Sequence, residues 1–142
     1  QFVSYLCYTV HLLLLGAITG GISYILNTVR SLCLSSESHF LKSKRVCGLL
    51  CALQIVTLVF TWGVVSVLPV IANIAATIGG YTYSARKIRV VGLCVNSPLW
   101  IVYDIVVGSW AGILDEVVSM ASMILSIVRY GWKNLDHQDA KN

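Results

Sequence analysis

Charge is what this chain has least of. Asp, Glu, Lys and Arg make up 11% of its 142 residues, against 57% hydrophobic residues. A soluble domain carries roughly a quarter charged residues, so this composition leaves too little polar surface to face water and points to lipid. Proline is nearly absent, with Pro69 and Pro98 the only two. Other absences exclude chemistry. There is no nucleophile–base pair, no zinc-ligand spacing and no phosphate loop, so no enzyme is expected. The five cysteines, Cys7, Cys33, Cys47, Cys51 and Cys94, lie in or beside apolar segments, and an odd count implies no disulfide framework. Cys47 and Cys51 share a helix face but lack the partners that a four-ligand zinc site needs. No cofactor is implied. The net charge of +4 comes without an arginine-rich arm or a basic helix face, so nucleic acid is not expected as a partner. His39 and His137 lie in polar segments and read as solvated.

Basic residues are missing from every second gap between apolar segments. Arg30, Lys42, Lys44 and Arg45 follow the second segment, Arg86, Lys87 and Arg89 the fourth, and Arg129, Lys133 and Lys141 the sixth. The gaps around 16–21, 63–66 and 108–112 carry none. Cytoplasmic loops of membrane proteins collect Lys and Arg, so the pattern predicts a multi-pass protein of the cytoplasmic membrane with its C-terminus in the cytoplasm. The expected crossings are 2–16, 18–34, 46–63, 67–85, 90–107 and 112–130. Several fall short of the ~20 residues that span about 30 Å of hydrocarbon, which tilt or thinning absorbs. Four longer helices would bury arginines at ~2.5–3.5 kcal/mol each. Residues 131–142 form a polar tail. Arg30 and Arg129 read as anchors at helix C-termini, and Trp62, Trp110 and Trp132 as an aromatic belt. The chain starts at Gln1 and is already apolar at Phe2, with no basic segment or cleavage site of a signal peptide.

The outer turns are rich in glycine, which permits the positive dihedrals of tight turns. Pro69 suits the start of the fourth helix, and Pro98 is expected to kink the fifth. An internal repeat emerges when the turns at Gly16 and Gly108 are aligned. Ser4, Tyr8 and His11 then fall on Asn96, Trp100 and Tyr103, each trio on one helical face. Aligning Arg30 with Arg129 sets Asn27 on Ser126 and Ser23 on Ser122. Helices one and two therefore look like copies of five and six. Asn73, Thr77, Tyr81 and Ser84 share a face of the fourth helix, without a copy in the first half. The expected architecture is all-α: a polytopic transmembrane helix bundle in which two parallel three-helix units are joined by a linker helix (3+1+3). Residues 1–34 supply the last two helices of the first unit, 46–63 the linker and 67–130 the second unit. A helix ahead of residue 1 is expected, which leaves six here.

Polar residues inside a membrane are functional by default. Asn27 and Ser23 share a mid-membrane face where an amide can hydrogen-bond a solute hydroxyl, or simply glue helices together at about 0.6 kcal/mol per bond. Asn96, Trp100 and Tyr103 offer a second wall beside Pro98, where an indole presents a flat face and one N–H donor; packing around the proline is the plainer reading. Asp104, Asp115 and Glu116 cluster near the outer ends of the last two helices. Glu116 and Asp104 are candidates for an acidic outer mouth, with His11 or Tyr8 as partner for Asp104. The plainer reading puts Asp115 and Glu116 at a helix N-terminus, where acids are favourable. No metal site is expected.

Three stretches, LNTVR at 26–30, LPVIANIAATIGGYTYSARKIRVVGLCVNSPLWIVYDIVVGSWAG at 68–112 and ILDEVVSMASMILSIVR at 113–129, resemble the YgjV family of bacterial inner-membrane proteins. The clearest marks are LPVI at 68–71, Trp100 and Tyr103 in a W-x-x-Y, the Gly108 and Ser109 turn, Glu116 and Arg129. That family is in turn similar to the SWEET and PQ-loop group, two parallel three-helix bundles joined by a linker helix. The resemblance implies a 3+1+3 plan in the bacterial inner membrane, and it equates Asn27 with a pocket asparagine of SWEET sugar uniporters. The chain lacks the Pro-Gln pair of PQ-loop proteins, and His11 and Tyr8 stand where a sugar transporter would offer tryptophan. The expected function is a SWEET-like transporter of a small polar solute, a sugar or similar, by alternating access. The alternative is a non-transporting scaffold or accessory subunit. Expected partners are the lipid bilayer, a small polar solute and a second copy of the chain.

Overall fold

The computed structural model describes residues 2–132, with side chains from Tyr5 onward. The tail beyond Trp132, with Lys133, His137 and Lys141, and the side chain of Ser4 lie outside the described residues. Six helices and no strand occur among the described residues: α1 (Phe2–Leu14), α2 (Ile18–Ser35), α3 (Lys44–Phe60), α4 (Val67–Gly80), α5 (Ala85–Val107) and α6 (Trp110–Tyr130). By length and composition, α5 and α6 are sufficient to cross a membrane, while Tyr5–Leu14 and Val67–Gly80 are shorter apolar helices.

Two boundaries differ from expectation for reasons of capping. The fifth helix begins at Ala85 rather than at 90, because the Ser84 hydroxyl accepts the Lys87 N–H at 3.3 Å. Arg86, Lys87 and Arg89 therefore stand in the first turns of α5 and not in a loop. Likewise Ser43 accepts the Val46 N–H at 3.4 Å and starts α3 at Lys44. The fourth helix ends at Gly80, short of the expected 85, in a turn where Tyr83 adopts φ 51°. At Pro98, the expected kink takes the form of a five-residue π-turn, Gly92–Asn96, inside α5. A proline ring removes one N–H and clashes with the carbonyl four residues back; widening the helix just before it relieves that clash.

The bundle is inside-out relative to a water-soluble protein. Thr9, Thr19, Ser23, Asn27, Gln54, Asn73, Thr77, Ser97, Asp104, Ser109 and Glu116 are all buried. The surface meanwhile carries Leu14, Phe60, Trp62, Val64, Trp110 and Val128 at 76–90% exposure. Soluble folds sort these residue types the other way, whereas in lipid the polar groups go inside and hydrogen-bond between helices.

The helices run up and down, which collects like loops at like ends. At one end, Tyr81 Oη donates to the Leu41 carbonyl at 3.0 Å and Tyr83 Oη to the Lys42 carbonyl at 3.4 Å, joining the α2–α3 and α4–α5 connections. This is the end that carries the basic residues. At the other end, Thr19 Oγ1 donates to Thr61 Oγ1 at 2.7 Å and lies 2.8 Å from Ser66 Oγ, tying α2 to the α3–α4 turn.

The two turns that the alignment equates close in the same way. Gly16 and Gly108 each have φ of 74°. After the first, Ala17 N–H reaches the Leu12 carbonyl at 2.9 Å and Gly16 N–H the Leu13 carbonyl at 3.0 Å; after the second, Ser109 N–H reaches Asp104 at 2.8 Å and Gly108 N–H reaches Ile105 at 3.3 Å. These are the same two bonds at the same offsets, the signature of a helix closed by a left-handed residue. A substitution at Gly108 should therefore be costly although no atom lies within 4 Å of the Cβ position. Gly108→Val is expected to lower stability by at least about 1–2 kcal/mol. Gly48→Ala, equally open but mid-helix in α3, is expected to raise it by about 0.5–1 kcal/mol. Thermal unfolding of the detergent-purified variants reads both signs.

Candidate functional site

At the centre, an aromatic column joins α1, α2 and α5. Tyr24 of α2 stacks on Tyr8 at 5.0 Å between ring centroids and meets Trp100 at 4.8 Å on its other side. Trp100 in turn meets Tyr103 edge-on at 5.6 Å. Tyr8 and Trp100 are the two residues that the internal alignment equates, and Tyr24 lies between them. Trp100, at 1% exposure, and Leu12, at 0%, fill the space around this column.

Above it the hairpins reach across to each other. Tyr103 of α5 accepts the Gly20 N–H of α2 at 3.0 Å, and His11 Nε2 of α1 lies 3.2 Å from Ser109 Oγ in the α5–α6 turn. His11 and Tyr103 are again equated by the alignment, so each first helix of one hairpin binds the turn region of the other. Small residues make the approach possible. A Cβ on Gly20 would stand 2.8 Å from the Tyr103 ring; within the second hairpin, one on Gly112 would overlap the Asp104 carboxylate.

Below the column, a cavity of about 660 Å³ separates α2 from α6, with α4 and α5 forming its other walls. Asn27, Asn96, Trp100 and Glu116 line it, together with Tyr24, Ser97, Ser119 and Ser122. It runs from Trp100 and Glu116 to the helix ends at Arg30, Leu34, Gly80 and Ala85, the basic end of the bundle. Asn27 Nδ2 donates to Asn73 Oδ1 at 2.9 Å, which leaves Asn27 Oδ1 and Asn73 Nδ2 buried without a partner. Ser97 lies against the Glu116 carboxylate.

Of the residues singled out from sequence, Asn27, Asn96, Trp100, Asp115 and Glu116 come together around this space. Ser23, Tyr103 and Asp104 do not line it. Ser23 is fully buried and donates to Gln54 Oε1 at 3.3 Å. Tyr103 is spent on Gly20. Asp104 is fully buried, and its carboxylate oxygens have no hydrogen-bond partner; it pairs with neither His11, which binds Ser109, nor Tyr8. The reading of Asp115 and Glu116 as helix-start acids also needs correction. The sixth helix begins at Trp110 and not at 112, so both fall in its second turn, and its first turn holds no acid. The dipole effect fades beyond the first turn.

Several participants were not singled out as site residues, among them Tyr24 and Ser97. Asn73 pairs with Asn27, and its place on the polar face of α4 was the signal. Arg30 and Arg89 line the cavity, though their positions at the basic end read from sequence as topology alone.

The family comparison agrees with this inverted interior. The model of the bacterial inner membrane protein family Imp-YgjV matches residues 1–134. The chain belongs to this family. It is accordingly a protein of the bacterial inner membrane. No curated protein and no solved structure matches the chain. As an Imp-YgjV protein it has two spans that qualify by length and composition, α5 and α6, and the clasp above the cavity holds one of them to α2.

That clasp can be probed without touching the cavity. Tyr103→Phe strands the Gly20 N–H and should cost about 1–3 kcal/mol. Gly20→Ala forces the Tyr103 ring away and should cost a similar amount through overpacking. Because both act on one contact, the double variant is expected to cost less than the sum, a departure from additivity readable in a double-mutant cycle of unfolding.

Proposed function

We propose that the chain crosses the inner membrane six times with its C-terminus in the cytoplasm, and that it moves a small polar solute by alternating access. The observation that carries this reading is the cavity. A space lined by two asparagines, an indole and a carboxylate, at the meeting of the two hairpins, suits a hydroxylated solute better than it suits a packed scaffold. Sites of this kind favour irregular helix backbone, and Asn96 and Ser97 lie at the end of the π-turn Gly92–Asn96, which widens α5 without interrupting it.

The orientation follows from charge. Arg30, Arg86, Arg89 and Arg129 share one end, and cationic loops stay in the cytoplasm. The cavity extends to that end, and the Tyr103–Gly20 and His11–Ser109 contacts with the aromatic column seal the other. In this reading the structure is the inward-facing state. Opening outward would break the two crossing contacts while Tyr24 changes its neighbours. The shorter helices, α1 and α4, are accommodated by tilt and local thinning. A SWEET-like transport cycle is the mechanism that the repeat favours, each hairpin rocking against the other about the site.

Two measurements test this. A reporter fused after Asn142 that is active only in the periplasm would overturn the orientation. A solute that binds the folded protein raises its thermal midpoint, by about 2.7 kcal/mol of stability at a hundred times Kd. Such a shift is expected from a polar solute and should vanish in Asn27→Ala. If no member of a broad panel of sugars and small metabolites shifts the midpoint, the protein is a scaffold whose polar stripes only knit the bundle.

A further inference from the structure

We propose that the solute carries an anionic group, so that the ligand is a small hydroxylated anion, such as a sugar acid or sugar phosphate, and not a neutral sugar. This rests on the transport reading and names the substrate class for the same cavity.

The argument begins with two arginines from opposite walls. Arg30 of α2 and Arg89 of α5 both line the space, and neither is paired with a carboxylate among the described residues. Arg89 is held in place by its neighbours: Nε donates to Ser126 Oγ at 3.1 Å and Nη1 to the Ala85 carbonyl at 3.1 Å. Arg30 is different. Its Nη1 is buried and makes no hydrogen bond, with Tyr5, which also lines the cavity, as its polar neighbour. An arginine that only anchors a helix end snorkels outward to water and headgroups. Arg30 instead keeps a donor inside the protein, beside a space large enough for a solute. A guanidinium with a vacant donor recognises carboxylate or phosphate.

The rest of the lining sorts by distance from that charge. Arg30 is six residues, about 9 Å of helix rise, from Tyr24; Arg89 is eight residues, about 12 Å, from Ser97. Glu116 and Asp115, the acidic lining residues, lie at the Tyr24 and Ser97 end. One end of the cavity is thus cationic and the other is carboxylate, with Asn27 and Asn96 between them. An anion at the arginine end leaves its hydroxyls for the amides and for Glu116, which accepts from them. Reversed, the anion would meet a carboxylate. A neutral sugar offers Arg30 only a hydroxyl acceptor, and that bond is weaker than the one a carboxylate or phosphate oxygen makes with a guanidinium.

The test uses detergent-purified full chain and titrates its thermal midpoint with glucose, gluconate, glucose 6-phosphate and inorganic phosphate. Gluconate or glucose 6-phosphate is expected to stabilise at concentrations where glucose does not. Arg30→Gln should weaken that binding at least about tenfold, as loss of a charge-assisted hydrogen bond does, with partial rescue in Arg30→Lys. If Arg30→Gln does not fold, Arg89→Gln carries the same expectation. Glucose stabilising as well as gluconate, with no effect of either arginine variant, would overturn the charge assignment and leave the transport reading standing. Inorganic phosphate matching glucose 6-phosphate would overturn the hydroxylated part of the ligand. No shift from any of the four overturns the proposal; if the broader panel is silent too, the transport reading falls with it.

Discussion

The structure depends on two helical hairpins gripping each other at equivalent positions. Tyr103 reaches from α5 to the Gly20 amide, His11 reaches from α1 to Ser109, and Tyr24 stacks on Tyr8 and meets Trp100 at a tilt. In lipid there is no hydrophobic drive to press helices together, so association rests on close packing and polar contacts. Gly20 supplies the closeness between the hairpins by having no side chain where Tyr103 packs, and Gly112 does the same for Asp104 within the second hairpin. The contacts supply direction. Each hairpin reaches the other from the position that the alignment equates, His11 in one and Tyr103 in the other.

Where the repeat is imperfect, the differences lie where chemistry is expected. Leu12 and Asp104 occupy the same place before the left-handed glycine, and both are wholly buried. One is a hydrocarbon and the other a carboxylic acid without hydrogen-bond partners on its oxygens. On the cavity side, the second hairpin contributes Asn96, Ser97 and Glu116, while the first offers Tyr5, Tyr24, Asn27 and Arg30. Arg89 and Asp115 also come from the second hairpin, so each wall supplies an arginine while the carboxylates come from the second alone.

The interior also separates residues that hold the bundle from residues left available. Ser23 is engaged by Gln54, Thr19 by Thr61 and Ser66, and Tyr103 by Gly20. These bonds satisfy polar groups that lipid could not. Asn27 is bound on one side only, and Arg30 keeps an idle donor. Polar groups in a membrane protein that remain half-satisfied beside a cavity are the ones free to meet a ligand.

Composition and period alone determined a great deal here. The scarcity of charge fixed the solvent, glycines at 16 and 108 marked the turns that recur with matching hydrogen bonds, and the alternating basic gaps set apart one end of the bundle. That Tyr8 and His11 share one helical face, and Trp100 and Tyr103 another, was legible from their spacing. Other features only the tertiary structure decided. Helix starts moved to Ala85 and Lys44 because a serine cap is a local hydrogen bond that hydrophobicity does not register. Ser23 and Asn27 share one face of one helix, yet α3 takes the first and the cavity meets the second. Arg30 looks like any loop-proximal arginine until its neighbours are in place. A residue's period assigns it to a face, but whether that face meets another helix or a space depends on which helices stand beside it.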